Sequence, residues 1–174
     1  MKLVSGIHDS PLGPVHFTLC DGALTSLGFA NQAPDLAARV ARRFGRTPLP
    51  DAAAEAEIGA RLGRYFAGEL GALDDLAVDL GGTAFQARVW AALRAIPPGA
   101  LRSYSALARS LGAPGAVRAV GAANGQNPVS LVVPCHRVVG ADGALTGYAG
   151  GLERKRWLLA HEQANATPPQ GGGS

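Results

Sequence analysis

The sequence predicts a protein of two parts, an α/β N-terminal domain over residues 1–80 and a mainly α-helical C-terminal domain over residues 83–163. Short strand-like runs in the first 30 residues indicate a small antiparallel sheet, and Asp21-Gly22 between two of them suits a tight hairpin turn. Longer segments with apolar residues at helical spacing follow. Gly81-Gly82-Thr83 interrupts this pattern, which places the domain boundary there.

Local patterns predict the elements of the N-terminal part. Helices are expected over residues 35–44 and 52–66, because apolar residues recur there at helical intervals and arginines are left for the solvent side. Nothing in this half suggests catalysis. The expected strands cover residues 2–5, 15–20 and 23–29, with a further candidate at 76–80.

Three helices are predicted after the boundary. Thr83 is a suitable N-cap for the first, which Pro97-Pro98-Gly99 ends. Ser103 is placed to cap a second helix over residues 104–111, and a third helix over residues 115–124 follows a glycine- and proline-containing turn. A helix, a short turn and a helix together are a candidate helix-turn-helix motif.

The last third of the chain contains a predicted hairpin, a loop and a helix. Residues 138–139 and 144–145 flank a Gly-Ala-Asp-Gly turn and are expected to pair. A glycine-rich flexible loop over residues 147–151 precedes a helix over residues 152–163, and residues 164–174 are expected to form a disordered tail. The inward face of the helix is expected to carry Leu152, Lys155, Leu159 and Glu162.

Composition limits the class of protein. A chain of 174 residues, 47% of them hydrophobic, can bury one good core or two small ones. Its apolar runs are far shorter than the roughly 20 residues of a membrane span, and its start lacks a signal-peptide apolar region, so a cytoplasmic protein is expected. A reduced Cys20 and Cys135 fit this location better than a disulfide. His8, His16 and Cys20 lack a zinc-binding spacing, so we predict no metal and no cofactor.

Charge is distributed unevenly along the chain. Residues 1–100 carry 9 Lys and Arg against 10 Asp and Glu, a net charge of −1, whereas residues 101–174 carry 7 against 3, a net charge of +4. A positive excess on one region is compatible with binding a polyanion such as DNA, although many proteins have as much.

Cys135 is the candidate nucleophile. It follows the apolar run of residues 131–133 and Pro134, and it precedes His136 and Arg137. Only the thiolate is a strong nucleophile, and the neighbouring imidazole and guanidinium could favour it. In a regular strand His136 would point away from Cys135, so assistance requires a turn in the backbone or a bridging water. The alternative is an unreactive buried cysteine at a strand end.

The third helix of this half combines small side chains with one long cation. Ala119, Gly121 and Ala122 would let the backbone approach another surface closely, and Arg118 alone projects far. Such a helix suits a DNA groove, with the arginine entering the base stack. The alternative is tight packing in a core, with Arg118 extending to solvent.

Glu162 completes a possible relay. If its carboxylate reaches His136, it would orient the imidazole and raise its basicity, which gives a cysteine, histidine and glutamate arrangement. The alternative for Glu162 is a solvated position near a helix end.

The ordered motifs of residues 83–163 resemble the O6-alkylguanine-DNA alkyltransferases. Over residues 1–80 the resemblance is looser and depends mainly on Ser10-Pro11-Leu12-Gly13 and the strand pattern. The matching motifs are Ser103-Tyr104, Arg118-Ala119-Val120-Gly121, Asn127-Pro128, Val133-Pro134-Cys135-His136-Arg137-Val138, Gly147-Tyr148-Ala149-Gly150-Gly151-Leu152, Lys155, Trp157-Leu158-Leu159 and His161-Glu162.

The resemblance implies a ribonuclease H-like N-terminal domain, a winged helix-turn-helix in the C-terminal domain, and direct repair of DNA. The alkyl group of O6-alkylguanine, or more slowly O4-alkylthymine, would pass to Cys135 as a stable thioether in a single turnover. His136 would deprotonate Cys135 through a water, and Glu162 would align His136. The partner would be double-stranded DNA carrying the lesion, bound by a monomer, with no membrane involved.

By position, the resemblance implies further roles. Tyr104 would donate a proton to the departing guanine, Arg118 would fill the gap left by the flipped nucleotide, and Asn127 would brace the turn before the active-site segment. Ala149 stands where family members have serine or alanine. The full implied set is Arg118, Ala119, Gly121, Ala122 and Arg137 for DNA binding, and Val138, Tyr148, Ala149, Gly150 and Lys155 for the substrate pocket.

Two other classes are considered. A non-catalytic alkyltransferase-like binder would recognise the same lesions, but such proteins lack the acceptor cysteine that this chain has at Cys135. A cysteine hydrolase would use Cys135, His136 and Glu162 to form a hydrolysable acyl intermediate. That reading leaves Arg118 and the small-faced helix unexplained.

Overall fold

The N-terminal half is built on one four-stranded sheet. The computed structural model describes residues 1–166. The sheet order is β3-β2-β1-β4, and β1 pairs antiparallel with β2, as β2 does with β3. The strands are β1 (Leu3–Ser10), β2 (Gly13–Cys20), β3 (Ala23–Phe29) and β4 (Leu49–Pro50).

Two expectations for this sheet are corrected. The sheet is mixed and not purely antiparallel, because the chain passes through a helix after β3 and returns as β4, parallel to β1. The candidate strand at residues 76–80 reduces to one bridge between Val78 and Leu24, since the segment meets the start of β3 at a single point. The other three expected strands are confirmed, with β1 and β2 longer than predicted.

Helices α1 (Ala33–Phe44) and α2 (Ala52–Phe66) confirm the two predicted helices of this half. Pro34 lies in the first turn of α1, where a missing N–H has no cost, and Gly45 ends it at a φ of 69°. Asp51 caps α2 by accepting the Ala54 N–H at 2.8 Å. The buried face of α2 carries Tyr65, which becomes important below.

The C-terminal half contains helices α3 (Ala84–Arg94), α4 (Tyr104–Ser110), α5 (Val117–Gly125) and α6 (Leu152–Asn165). Thr83 and Gln86 form a reciprocal capping box at the start of α3, and Ser103 caps α4, as predicted. The Trp90 indole of α3 donates to the Ala123 carbonyl of α5 at 2.8 Å. Helices α4 and α5 are joined by a short turn and pack together.

The predicted hairpin after the cysteine is wrong. Strand β6 (Val138–Val139) pairs in parallel with β5 (Arg102–Ser103), before α4, and residues 144–145 form no strand. A turn does close there, since the Gly140 N–H donates to the Ala144 carbonyl at 2.9 Å. Just after this turn, the Thr146 carbonyl accepts a hydrogen bond from the Lys155 ammonium at 2.8 Å.

Helix α6 corrects two further expectations. It continues to Asn165, so the first residues of the expected tail at 164–174 are helical, and residues 167–174 lie outside the described part of the chain. Its buried face carries Lys155, Leu158 and Glu162, whereas Leu152 is 43% exposed. Every helix within residues 1–166 is too short or too polar to cross a membrane.

A single hydrophobic cluster runs through both halves. It includes Phe17 and Leu27 of the sheet together with Trp90 of α3 and Val133 before the cysteine. The Leu27 backbone also pairs with the segment leading to the cysteine, because its N–H donates to Pro128 and its carbonyl accepts from Ser130, each at 2.9 Å. The division into residues 1–80 and 83–163 stays a prediction.

Candidate functional site

Cys135 begins a tight 3-10 turn that also contains His136 and Arg137. Its N–H donates to the Val133 carbonyl at 2.8 Å, so the backbone turns here and does not continue as a strand. Asn127 holds the segment before it, since its side chain donates to the Val133 carbonyl and accepts the Val129 N–H. Asn127 therefore links two backbone groups of the segment before Cys135, and its bracing role stays a prediction.

The same segment contains an unusual backbone conformation. Leu131 has a φ of 71°, in the left-handed region that side chains other than glycine rarely adopt. Such a conformation costs on the order of 1–3 kcal/mol and persists only where the surroundings fix it. Here the Val132 and Val133 N–H groups donate to the Ser130 and Val129 carbonyls. The chain is therefore forced into the loop that presents the thiol.

The Cys135 thiol is enclosed, at 4% exposure. Burial raises its pKa, while hydrogen bonding from Asn127, the positive charge of Lys155 and hydrogen bonding from Ser130 act in the opposite direction. The resting group is therefore a neutral thiol. Its conversion to a thiolate needs a proton acceptor, and the polar groups around it are placed to support the anion.

Lys155 is the fixed positive charge beside this thiol. It is fully buried, and its ammonium donates to the carbonyls of Val138 at 2.6 Å, Thr146 at 2.8 Å and Gly147 at 3.3 Å. Burial lowers the pKa of Lys155, and the nearby Cys135 opposes that shift. Because its three donors are all bound by carbonyls, the ammonium is held in one position and ties the 147–151 loop to β6.

His136 and Glu162 form a buried pair. The His136 Nε2 lies 2.8 Å from the Glu162 Oε2, and the two side chains are 0% and 1% exposed, which excludes a solvated position for Glu162. Although burial opposes its ionisation, hydrogen bonds from Arg137 and His136 hold the pKa of Glu162 far below its usual range. Burial lowers the pKa of His136, and Glu162 partly opposes this. Within residues 1–166 the His136 Nδ1 has no hydrogen-bond partner.

Arg137 was expected at the DNA surface, and the structure corrects that expectation. It is 6% exposed, its Nε and Nη2 donate to the two carboxylate oxygens of Glu162 at 2.8 and 2.9 Å, and its Nη1 donates to the Ile96 carbonyl at 2.7 Å. The cation faces inward because a buried carboxylate needs a paired charge.

Two of the expected pocket residues contact the buried groups: the Val138 carbonyl binds the Lys155 ammonium, and Tyr148 packs against the imidazole. Tyr148 packs edge-on against the His136 ring, with centroids 6.4 Å apart, and burial raises the pKa of its phenol well above the usual value. Val138 and Gly150 are buried, whereas Ala149 is exposed. The Ala149 and Gly150 carbonyls accept hydrogen bonds from Asn31 and Arg154, respectively.

Helix α5 has one face toward solvent and one toward the backbone of the cysteine turn. Arg118, Ala119 and Ala122 are exposed, which disfavours the alternative of a tightly packed core helix. Gly121 is half-buried and faces the ring of Tyr104: a β-carbon there would lie 3.9 Å from that ring. On the inner face, the Asn124 amide lies 3.4 Å from the Cys135 carbonyl.

Several site residues were missed by sequence reasoning. Tyr65 donates its hydroxyl to Glu162, and Asn31 and Arg154 hold the 147–151 loop. Tyr65 looks like an ordinary core aromatic at the end of a helix, and Asn31 and Arg154 like surface residues. Only the tertiary contacts give them a role.

Both cysteines are free, as expected, and Cys20 lies in a separate small cluster with Leu3 and Val40. Within residues 1–166, no three histidine, cysteine or carboxylate side chains gather as a metal site would require. The side chains that the structure does bring together at the site are a thiol, an imidazole, a carboxylate and an ammonium, all buried.

The chain is similar to known proteins in both sequence and structure. Residues 84–164 match the family model described as 6-O-methylguanine DNA methyltransferase, DNA binding domain. The methylated-DNA--protein-cysteine methyltransferase of Mycolicibacterium paratuberculosis is 50% identical over 158 residues, 91% of each chain. That of Salmonella typhimurium is 63% identical over 102 residues, 59% of this chain, and the match spans 60% of that relative's length. The crystal structure of Mycobacterium tuberculosis OGT in complex with DNA has a TM-score of 0.80 at 46% identity, over 93% of this chain and 94% of that one.

The fold is that of the Mycobacterium tuberculosis O6-methylguanine methyltransferase structure, and a buried cysteine stands at the centre of the site. The chain belongs to the methylated-DNA--protein-cysteine methyltransferase family.

Proposed function

We propose that the protein repairs alkylated DNA directly, by moving the alkyl group of O6-alkylguanine, and more slowly of O4-alkylthymine, to the sulfur of Cys135. The observation that carries this proposal is the buried thiol beside both the Lys155 ammonium and the His136–Glu162 pair. The names of its relatives, which describe methylated DNA and a protein cysteine, support the same substrate and acceptor.

The first step forms the nucleophile. The Nδ1 of His136 accepts the thiol proton through a water, and the Glu162 carboxylate stabilises the resulting imidazolium through Nε2. Lys155, Asn127 and Ser130 stabilise the thiolate. Because burial raises the pKa of the thiol, this proton transfer is needed before attack.

The second step transfers the alkyl group. The thiolate attacks the alkyl carbon as the carbon–oxygen bond breaks, and the electron pair of that bond stays with guanine O6. Tyr104 donates a proton to the departing guanine, and Val138, Tyr148, Ala149, Gly150 and Lys155 surround the base. A thioether carbon has no activated carbonyl for water to attack, so the S-alkylcysteine persists and each protein molecule acts once.

Access to the base requires nucleotide flipping in double-stranded DNA, which costs a few kcal/mol of stacking and pairing. Arg118 is exposed on α5 and fills the gap in the stack, while Ala119, Gly121 and Ala122 allow the helix to approach closely. The solved DNA complex of the Mycobacterium tuberculosis protein supports DNA as the partner. One copy of the chain contains every group used here, which supports action as a monomer.

We further propose the finer architecture and location. The order β3-β2-β1-β4, with β4 parallel to β1, supports a ribonuclease H-like N-terminal domain, and the β5–β6 pair with its following loop supports a winged helix-turn-helix. Two free cysteines support a reducing compartment, the cytoplasm.

The test is intact-protein and peptide mass spectrometry after incubation with a duplex containing one O6-methylguanine. The expected result is one stable methyl group on the peptide containing Cys135 and an equal amount of restored guanine. An intact lesion with unchanged protein mass would overturn the proposal and favour a binder. A lesion that disappears over many turnovers without any adduct would favour a hydrolase.

A further inference from the structure

The carboxylate of Glu162 receives one hydrogen bond from the N-terminal half. The Tyr65 hydroxyl, at the end of α2, donates to the Glu162 Oε2 at 2.7 Å. That oxygen also lies 2.8 Å from the His136 Nε2 and accepts from the Arg137 Nη2 at 2.9 Å. Three donors therefore share the oxygen that faces the imidazole.

Tyr65 is fixed in its role as a donor. It is 1% exposed, and burial, followed by the negative charge of Glu162, raises the pKa of its phenol far above the usual value. The hydroxyl therefore keeps its proton. Its ring packs against Phe66 and His161, with centroids 5.2 and 5.4 Å away, and its carbonyl accepts from His161 at 2.8 Å. These contacts hold the hydroxyl in one place.

Arg137 already holds both oxygens of the Glu162 carboxylate, so the hydrogen bond from Tyr65 does more than orient that carboxylate. The hydroxyl adds a competing donor on the oxygen that binds His136. A carboxylate with more hydrogen bonds attracts the imidazolium less strongly, so the imidazole is more easily kept neutral. A neutral imidazole is the form that accepts a proton.

We propose that Tyr65 is a positioning residue of the alkyl-transfer site, which acts through Glu162 to keep His136 in its proton-accepting form. This inference rests on the proposed function. It gives the N-terminal half a part in the chemistry beyond scaffolding. The groups that face the His136–Glu162 pair are Tyr65 of α2, Cys135 and Arg137 of the 3-10 turn, Tyr148 of the loop and Lys155 of α6.

The test is Tyr65→Phe, which removes only the hydroxyl. Single-turnover methyl transfer from an O6-methylguanine duplex is measured from pH 5 to 9, a range of about four units around the ordinary histidine pKa. The acid limb of the rate profile is expected to move up by roughly 0.5 to 1 pH unit. On that limb the rate falls by roughly three- to tenfold, while the high-pH plateau stays within about threefold.

The matched control is Thr25→Val, which removes another buried hydroxyl of the N-terminal half. Thr25 donates to the Thr18 carbonyl within the sheet and does not touch Glu162. It is expected to lower thermal stability without moving the acid limb. The double variant Tyr65→Phe/Glu162→Gln should have the same acid limb as Glu162→Gln alone, because Tyr65 acts on His136 only through Glu162.

A second measurement does not depend on DNA. An NMR titration of the His136 imidazole in the free protein is expected to give a higher pKa in Tyr65→Phe than in the wild type. An unchanged imidazole pKa and an unchanged acid limb, or an equal shift in Thr25→Val, would overturn the inference. Absence of transfer by the wild type would refute the proposed function instead, and the titration would still decide the role of Tyr65.

Discussion

Arg137 and Glu162 form a bidentate ion pair inside the protein, with the Arg137 Nε and Nη2 at 2.8 and 2.9 Å from the two carboxylate oxygens. The third guanidinium nitrogen binds the Ile96 carbonyl, after α3. The pair therefore joins the cysteine turn to α6 and to the end of α3. Arg137, which follows Cys135 and His136 in the sequence, thus holds the Glu162 carboxylate in place.

Arg137→Ala is expected to destabilise the protein by about 3 to 5 kcal/mol, because it leaves a buried carboxylate without its main partner. Chemical denaturation followed by tryptophan fluorescence measures this change. Arg118→Ala is the matched control, since Arg118 is exposed, and it should change stability by less than about 0.5 kcal/mol. If Arg137→Ala instead keeps the unfolding free energy of the wild type and binds DNA more weakly, Arg137 contacts DNA and does not support Glu162.

Cys135→Ser is expected to abolish methyl transfer and to leave the affinity for lesion-containing duplex within about twofold, because the thiol is buried behind the helix face. Quantitative mass spectrometry and fluorescence anisotropy measure the two properties. Cys20→Ala, at the other free cysteine, should retain transfer. Methyl transfer by Cys135→Ser would refute the acceptor assignment.

Arg118→Ala should slow repair of duplex DNA by roughly tenfold or more, and repair of the free modified base much less, because only the duplex needs a replacement for lost stacking. Parallel rate measurements on both substrates make the comparison. Arg109→Ala, an exposed arginine of α4, is a control for loss of surface charge. Equal losses on both substrates would remove the flipping role.

Acidification is expected to destabilise the protein in two stages. The folded pKa of His136 is lowered from its ordinary 6.5, so stability is lost once the pH falls below about 6.5 and only the unfolded chain takes up the proton. The folded pKa of Glu162 is also lowered, from 4.5, so a second loss begins below about 4.5. Unfolding free energies measured between about pH 2 and 8 cover both ranges and give the slope in each. Glu162→Gln should lack the second loss; retention of it would assign that loss to other carboxylates.

The 147–151 loop is expected to loosen in Arg154→Ala. Arg154 donates to the Gly150, Asn31 and Leu12 oxygens at 2.9, 3.1 and 3.1 Å, and its guanidinium lies 4.9 Å from the centre of the Phe29 ring. Hydrogen exchange of residues 147–151 should speed up by about tenfold or more, as local contacts are lost. Arg156→Ala, two residues further on and exposed, should leave exchange unchanged. Equal exchange in the two variants would show that the loop is held elsewhere.

The parts of the structure that depend on neighbouring residues could be predicted from the sequence. Thr83 and Ser103 cap helices because the cap is a contact over three residues, and the Asp21-Gly22 turn follows from local backbone preference. The contact of His136 with Glu162 was anticipated from motifs. Contacts between distant segments could not be predicted. Strand β6 pairs with β5 and not with residues 144–145, and Arg137 binds Glu162 and does not face outward. In both cases a partner far along the chain replaces the local or exposed alternative.

Leu27 of β3 shares its backbone hydrogen bonds with the segment that leads to Cys135. The sheet is thus hydrogen-bonded directly to the segment that leads to the Cys135 sulfur. Under the proposed function, a substitution in the sheet, remote from any DNA-facing helix, would consequently lower the rate of methyl transfer, as a substitution at Cys135 would.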